Sequence, residues 1–304
     1  WKDSFILGDP NNREEIRRAV PETTHFMKPV ERVTLSQVRT IMSEGQVDID
    51  SREGESGMTP VMLAARGGHR GVFEILVGKR CNMSLLDNKD NNILHMACYG
   101  GQIAIVKRVL SLDIVDINSR GHIGSTCVMV AAANGHRKVF DLVMCKGGDA
   151  SLVDKSGDNI LHWVCRGGHV EMVKYVISLN FVDINSRGHI GQTPMMVAAS
   201  NGHRKVFDLA MNKGGDASLV DKNGDNILHC VCRGGDVEMV KYVISLNFVD
   251  INSRGHVGRT PMMVAAYNGH RKVFDLVMSK GGDASLVDKS GDNILHWVCV
   301  VEET

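Results

Sequence analysis

Several things are scarce in this chain, and each shortage removes a class of function. Of 304 residues only 5% are aromatic and six are proline. A single-stranded nucleic-acid reader interleaves rings with a basic stripe, and this composition does not supply one. Lys and Arg number 35, as do Asp and Glu, so no net charge draws the chain toward nucleic acid or an anionic membrane. No apolar run reaches the roughly 18 residues that span a bilayer. The N-terminal WKDSFILGDP lacks both the basic segment and the long apolar segment of a secretion signal. GxxxxGK, HExxH and GxSxG are absent from the sequence, which removes the phosphate cradle, the zinc-protease helix and the nucleophile elbow. The expectation is a cytoplasmic protein without enzymatic activity, cofactor, bound metal, nucleic-acid partner or membrane insertion.

Eight cysteines do not form a metal-binding pattern, since Cys230-Val-Cys232 lacks CxxC spacing and a second pair. Cys165, Cys232 and Cys299 stand where sister segments have the second Ala of an Ala-Ala pair, which suits a thiol acting as a small hydrophobe. The thirteen histidines fall mainly into three periodic sets. Members of one set, His122, His189 and His256, are expected roughly 20 Å apart, two packed-helix steps, too far to share a metal whose ligand bonds are ~2 Å. The turns Asp154–Asp158, Asp221–Asp225 and Asp288–Asp292 loosely resemble a calcium loop but lack its Gly and Glu and contain a Lys. The Met residues, including Met129, Met144, Met172, Met196, Met211 and Met239, sit at apolar helix positions and are expected to fill gaps in a core.

What the chain does have is repetition. Asn118–Ile184 and Asn185–Ile251 differ at nine of 67 positions. Each unit divides again: Thr59, Thr126, Thr193 and Thr260 open one apolar run, as in TPMMVAA, and Asn92, Asn159, Asn226 and Asn293 open another, as in NILHWVC. The steps between them are 33 and 34 residues. This period, with its Thr-Pro or Leu-His start, Gly-His turn and Gly-Asp or Val-Asp end, resembles the ankyrin repeat, and the resemblance runs from Gly57 to Cys299. It implies an all-α solenoid with short β-hairpin fingers, about seven full repeats, an N-terminal cap and a truncated last repeat. Residues 1–50 are assigned to a helical cap and a degenerate first repeat, and 51–304 to the array.

Local signals support this plan. Asp9-Pro10 followed by acids starts a helix that ends before Pro21. Thr34-Leu-Ser-Gln37 is a capping box, followed by Leu35, Val38, Ile41 and Met42 on one face and Gly45 as a stop. In the array, Thr126 or Asn159 caps a short inner helix whose small residues allow close approach. An outer helix follows, with Val139, Phe140, Leu142 and Val143 on one side. The family's Thr and His, which bond to each other and to a neighbouring loop, are split here between alternate repeats, so the stable unit is expected to be the pair. Trp1 in place of Met and the abrupt end at Val300–Thr304 suggest a segment of something longer. An array left uncovered at its C-terminal repeat is expected as a monomer with a tendency to end-to-end association.

Among the three near-identical units only three positions differ in every copy: Ser125/Gln192/Arg259, Ala133/Ser200/Tyr267 and Cys145/Asn212/Ser279. The ankyrin resemblance places the first two on the concave groove, with Met58 and Arg66 at the equivalent places in the first unit. Tyr99, Arg166 and Arg233 take the matching position in alternate repeats, and Asn134, Asn201 and Asn268 lie beside the variable trio. Tyr and Arg are common binding anchors. These fourteen residues are the predicted protein-binding surface. The fingers carry Arg120, His122, Lys155, Arg187, His189, Lys222, Arg254, His256 and Lys289, a mildly basic rim that favours an acidic protein segment. Two functions follow: a protein-interaction scaffold, or the regulatory array of a larger channel, kinase or signalling protein. Asn118, Asn185 and Asn252, in their DIN context, also resemble the asparagines hydroxylated in other ankyrin arrays.

Overall fold

The computed structural model describes residues 34–45 and 47–299, so the expected Asp9–Ile16 helix and the Val300–Thr304 terminus lie outside the described residues. The rest is helical throughout. The first helix, α1 (Leu35–Ser43), begins at a capping box in which Gln37 N–H bonds Thr34 Oγ1 and Gln37 Oε1 accepts from Thr34 N–H, and it turns off at Gly45, φ 67°. It packs against α3, the outer helix of the following pair.

Seven inner/outer pairs succeed it: α2 (Pro60–Gly67) with α3 (Arg70–Gly78), α4 (Ile93–Tyr99) with α5 (Ile103–Ser111), α6 (Cys127–Ala133) with α7 (Arg137–Cys145), and α8 (Ile160–Gly167) with α9 (Val170–Ser178). Then come α10 (Pro194–Ser200) with α11 (Arg204–Asn212), α12 (Ile227–Gly234) with α13 (Val237–Ser245), α14 (Pro261–Tyr267) with α15 (Arg271–Ser279), and a single inner helix, α16 (Ile294–Cys299). Inner helices contact each other more extensively than outer helices do. The cause is side-chain size: Ala65, Ala132, Ala199, Cys165 and Cys232 are buried between inner helices and keep their backbones close, whereas Phe140 and Phe207 sit at the outer-helix side. In the solenoid that the repeat resemblance implies, closer packing of the inner helices than of the outer ones leaves the inner helices on the hollow side.

The core is continuous along the array, as expected where each repeat covers only its neighbours. Val139, Phe140 and Val143 are buried, and Leu142 packs against them. Met129, Met172, Met196 and Met239 are buried, and Met144 and Met211 are half-buried against the core.

The fingers differ from the β-hairpins expected of the family. Among the described residues there is no strand. Each 34-step finger closes on a single turn, with Gly121 N–H bonding the Ser125 carbonyl at 2.8 Å around a 3-10 turn at His122–Gly124. Ile123, Ile190 and Val257 hold left-handed φ of 50°, 46° and 53°, an outlying conformation for β-branched residues. The next finger fixes it: the carbonyls of these residues accept from the N–H groups of Lys155, Lys222 and Lys289 at 2.9, 2.8 and 2.8 Å. Arg120, Arg187 and Arg254 clamp the same junction, donating to the carbonyls of Val153, Val220 and Val287. The finger arginines are therefore committed to neighbouring backbone.

The split Thr and His retain a tie between repeats. Asn92, Asn159 and Asn226 cap α4, α8 and α12. The histidine three residues on accepts at Nδ1 from the cap N–H and donates from Nε2 to the next repeat: His95 to the Ser125 carbonyl (3.2 Å), His162 to Gln192 (3.0 Å) and His229 to Arg259 (3.1 Å). An acceptor at Nδ1 together with a donor at Nε2 is the pattern of the neutral imidazole, and Nδ1 also lies 2.8, 2.8 and 2.7 Å from the Oδ1 of Asn92, Asn159 and Asn226. Burial, foremost, holds all three below the ordinary histidine range.

That imposes an acid limit. Unfolding releases histidines of ordinary affinity, near pH ~6.5, so the unfolded chain takes up protons that the folded one refuses. The stability they contribute is complete above about pH 6.5 and is lost as pH falls from there through their lower folded values. Asp158 and Asp225 titrate in a separate, lower window: burial raises them, but Arg166 beside the first and the His256 N–H and Arg233 beside the second leave both below the usual carboxylate range. The urea midpoint is therefore expected to drop between pH 7.5 and 5.5, and an unchanged midpoint would contradict the neutral-histidine tie.

Candidate groove of the inner helices

One residue from each inner helix, the seventh, forms a row along the hollow side: Arg66, Tyr99, Ala133, Arg166, Ser200, Arg233 and Tyr267. Each is placed by the turn that ends its helix. In α2, α8 and α12 that turn is a left-handed glycine, Gly68, Gly168 or Gly235. In α6, α10 and α14 it is Asn134, Asn201 or Asn268, whose Nδ2 donates to the carbonyls of Val130, Val197 and Val264 at 2.8 Å each. The expected asparagine trio thus finishes helices. The outer-helix histidine of the next repeat pins three of the row's backbones: His136 Nε2 to the Tyr99 carbonyl, His203 to Arg166 and His270 to Arg233, all at 3.0 Å.

Side chains along the row brace one another. The Arg66 guanidinium lies 4.5 Å above the Tyr99 ring, within cation–π range. Arg166 pairs with the buried Asp158 at 2.5 Å, and Arg233 with the buried Asp225. These ion pairs were not anticipated from sequence, although each Asp stands eight residues before its Arg. Tyr99 and Tyr267 remain 36% and 42% exposed, large for rings in a row whose neighbours are half-buried.

The second expected row, where each finger meets its inner helix, is mostly enclosed. Met58 and Ser125 are buried, and Gln192 and Arg259 are half-buried. Two of its members, Gln192 and Arg259, meet the residue 38 positions later in the next repeat. Gln192 Nε2 approaches Cys230 Sγ at 3.7 Å, and the Arg259 guanidinium lies 3.8 Å above the Trp297 ring and 5.0 Å from the Tyr267 centroid. Cys230 and Trp297 occupy equivalent positions, so the change from Gln192 to Arg259 is matched by a packing partner that also changes. Cys145, the third variable position, ends the outer helix α7 and is exposed.

The DIN asparagines join neighbouring loops. Asn118 Oδ1 accepts from Asp149 N–H at 2.8 Å and its Nδ2 donates to the Gly147 carbonyl at 3.1 Å, and Asn185 and Asn252 repeat the arrangement. Six cysteines are buried, and Cys145 and Cys299 are exposed. Burial raises Cys165 and Cys230 to about 12, far from a reactive thiolate. No helix among the described residues is long and apolar enough to cross a membrane.

The family model described as Ankyrin repeats (3 copies) matches residues 30–121, 128–216 and 205–288. Among curated relatives, the chain is 26% identical over 207 residues to the palmitoyltransferase AKR1 of Lachancea kluyveri, covering 67% of this chain and 24% of that protein. It is 20% identical over 338 residues to the human transient receptor potential cation channel subfamily A member 1, covering 96% of this chain and 30% of the channel. With the E3 ubiquitin-protein ligase KEG of Arabidopsis thaliana the identity is 23% over 279 residues, covering 85% of this chain and 17% of the ligase. The chain thus spans less than a third of each of these relatives. Period, helix pairs, inter-repeat ties and the matched residues agree: the chain belongs to the ankyrin-repeat family.

Proposed function

We propose that this chain is a non-enzymatic scaffold that holds an extended segment or surface of a partner protein along the inner-helix row. Ankyrin repeats bind other proteins. The observation that carries the choice of surface is the exposure of Tyr99 and Tyr267, 36% and 42%, each beside a guanidinium at 4.5 and 5.0 Å. Rigid rings with polar tips form contacts at low entropic cost, and the Tyr99 carbonyl is already tied to His136. Of the residues expected from sequence, Tyr99, Arg66, Arg166, Arg233, Arg259 and Tyr267 would carry the contact, while Met58 and Ser125 would support it from beneath. The partner is expected to be protein, with acidic character facing the groove arginines.

The joint variant Tyr99→Ala/Tyr267→Ala is expected to weaken a partner captured by the intact chain at least tenfold, as for anchors costing ~2 kcal/mol. Lys174→Ala on the outer helix α9 should leave binding unchanged. Equal binding by the double variant would reject the groove.

A second reading is favoured by the comparisons. The relatives named as a palmitoyltransferase, a cation channel and a ubiquitin ligase match this chain over 24, 30 and 17% of their lengths. The array would then be the regulatory segment of a larger protein, with the groove serving either a separate partner or another part of the same polypeptide.

A further inference from the structure

We infer that Arg259, set against the rings of Tyr267 and Trp297, is a preformed receptor for one carboxylate, supplied by an aspartate or glutamate of the segment lying in the groove. This rests on the groove reading above and adds a charge, a position and a direction to it. The other two arginines in this half of the groove are already neutralised, Arg166 by Asp158 and Arg233 by Asp225. Among the described residues no carboxylate is in ion-pair contact with Arg259, and its Nε is buried without an acceptor. The guanidinium is held by stacking alone, 3.8 Å above Trp297 and 5.0 Å from the Tyr267 centroid, with the two rings edge to face at 5.5 Å.

The Trp297 indole beneath Arg259 also lacks an acceptor at Nε1, and Arg233 Nη1 lacks one too, as Arg166 Nη1 does in the sister unit. The sister indole shows what is missing: Trp163 Nε1 donates to Asp154 Oδ2 at 3.0 Å, while Asp288, the equivalent acid, receives only Ser290 and Asp292 backbone N–H groups. The unmatched Nε of Arg259 and the unmatched indole N–H stacked beneath it leave this half-buried cation short of acceptors. Burial, more than any neighbouring charge, disfavours the Arg259 cation, and Arg233 adds to that.

The lack of acceptors calls for an oxygen ligand, and the local charge limits how much charge it can bring. Asp225 and Asp288 both act on Arg259 electrostatically, so with Arg233 and Arg259 the local charges sum to zero. A planar monoanion matches the guanidinium fork, whereas a dianionic phosphoryl group would add charge that the two acids repel. The site also exists in one unit only, because Ser125 and Gln192 occupy the equivalent places. The acidic residue is therefore placed at the C-terminal third of the groove, which fixes the direction in which a segment lies along nearly identical repeats.

The test is selection of random 16-residue peptides on the intact chain and, in parallel, on Arg259→Gln, which installs the residue of the sister unit and should preserve the circular dichroism spectrum. A library carrying phosphoserine at random positions is run beside the first. The inference predicts peptides from the intact chain that share one Asp or Glu, lose that preference on Arg259→Gln, and bind the variant roughly ten- to hundredfold more weakly. Peptides that are lost on Tyr99→Ala/Tyr267→Ala yet show no acidic position, or bind Arg259→Gln equally, would overturn the inference and leave the groove standing. A preference for phosphoserine over glutamate would overturn the carboxylate assignment. Peptides indifferent to every groove substitution, or no peptides at all, would overturn the groove and the receptor together.

Discussion

Replacing His229 by alanine is expected to lower the unfolding free energy by about 3 kcal/mol. The imidazole is fully buried and carries the link from α12 to the following finger, accepting from Asn226 N–H at 3.3 Å and donating to the Arg259 carbonyl at 3.1 Å. Truncation leaves a void and removes both bonds, and only the Gly255 N–H, at 2.9 Å, still holds that carbonyl. The void and the lost bonds act in the same direction, and alanine's higher helix propensity returns less than ~1 kcal/mol. His296 supplies the matched control within the same motif. Its side chain is 59% exposed and faces Asp292 at 4.0 Å, so His296→Ala should change stability by no more than about 0.5 kcal/mol. Equilibrium urea unfolding of both variants separates the cases, and equal effects would mean that the motif is merely helix-forming.

Gly167→Ala is expected to cost about 2 kcal/mol net, against the ordinary gain from adding alanine to a helix. A Cβ at Gly167 would lie 1.9 Å from the Ala133 carbonyl oxygen and 2.8 Å from its carbon. Both are backbone atoms of α6, so no rotamer change relieves the contact and two inner helices must separate. Overpacking of this kind costs about 1–3 kcal/mol and occasionally more, which outweighs the ~1 kcal/mol of helix propensity. Gly157 is the control: nothing lies within 4 Å of its Cβ position, and its φ of 87° makes alanine a purely local strain. Thermal unfolding should show Gly167→Ala well below Gly157→Ala, and the reverse order would contradict close inner-helix packing.

The repeating frame was legible because it is written in the spacing of Thr, Asn, His and Gly, each of which has a local backbone reason to sit where it does. Thr34-Leu-Ser-Gln37 specified its capping box completely, since every atom of that motif lies within four residues. The single-turn form of the fingers, without strands among the described residues, did not follow from the residues. Ile123 at φ 50° is held by a carbonyl bond to Lys155 in another repeat, and no local propensity would place a β-branched residue there. The groove was partly legible. Tyr99 and Tyr267 fall where the helix period puts them, and both are exposed. Ser125 and Met58 sit at equally regular positions, yet both are buried. Variation at Gln192 and Arg259 looked like surface divergence because sequence alone does not show that Cys230 and Trp297 are the side chains they meet. The same limit hid the neutralisation of Arg166 and Arg233, which depends on how a turn folds back onto its own helix.

The near-identity of the three units also makes Arg259 the feature that tells the hollow side's two ends apart, beyond the isolated pair Arg66 and Tyr99 at the other end. A scaffold whose middle is repetitive and whose ends differ can seat a segment in one orientation.

Photo-crosslinking distinguishes a partner seated on the inner helices from one on the outer helices. A benzophenone side chain placed at position 267, on the groove, or at position 241, on the exposed face of α13, is irradiated in the presence of a peptide selected on the intact chain. The account predicts crosslinks from position 267, mapping to the acidic end of the peptide, and none from 241. Crosslinks from 241 with 267 silent would place the partner on the outer helices and contradict it.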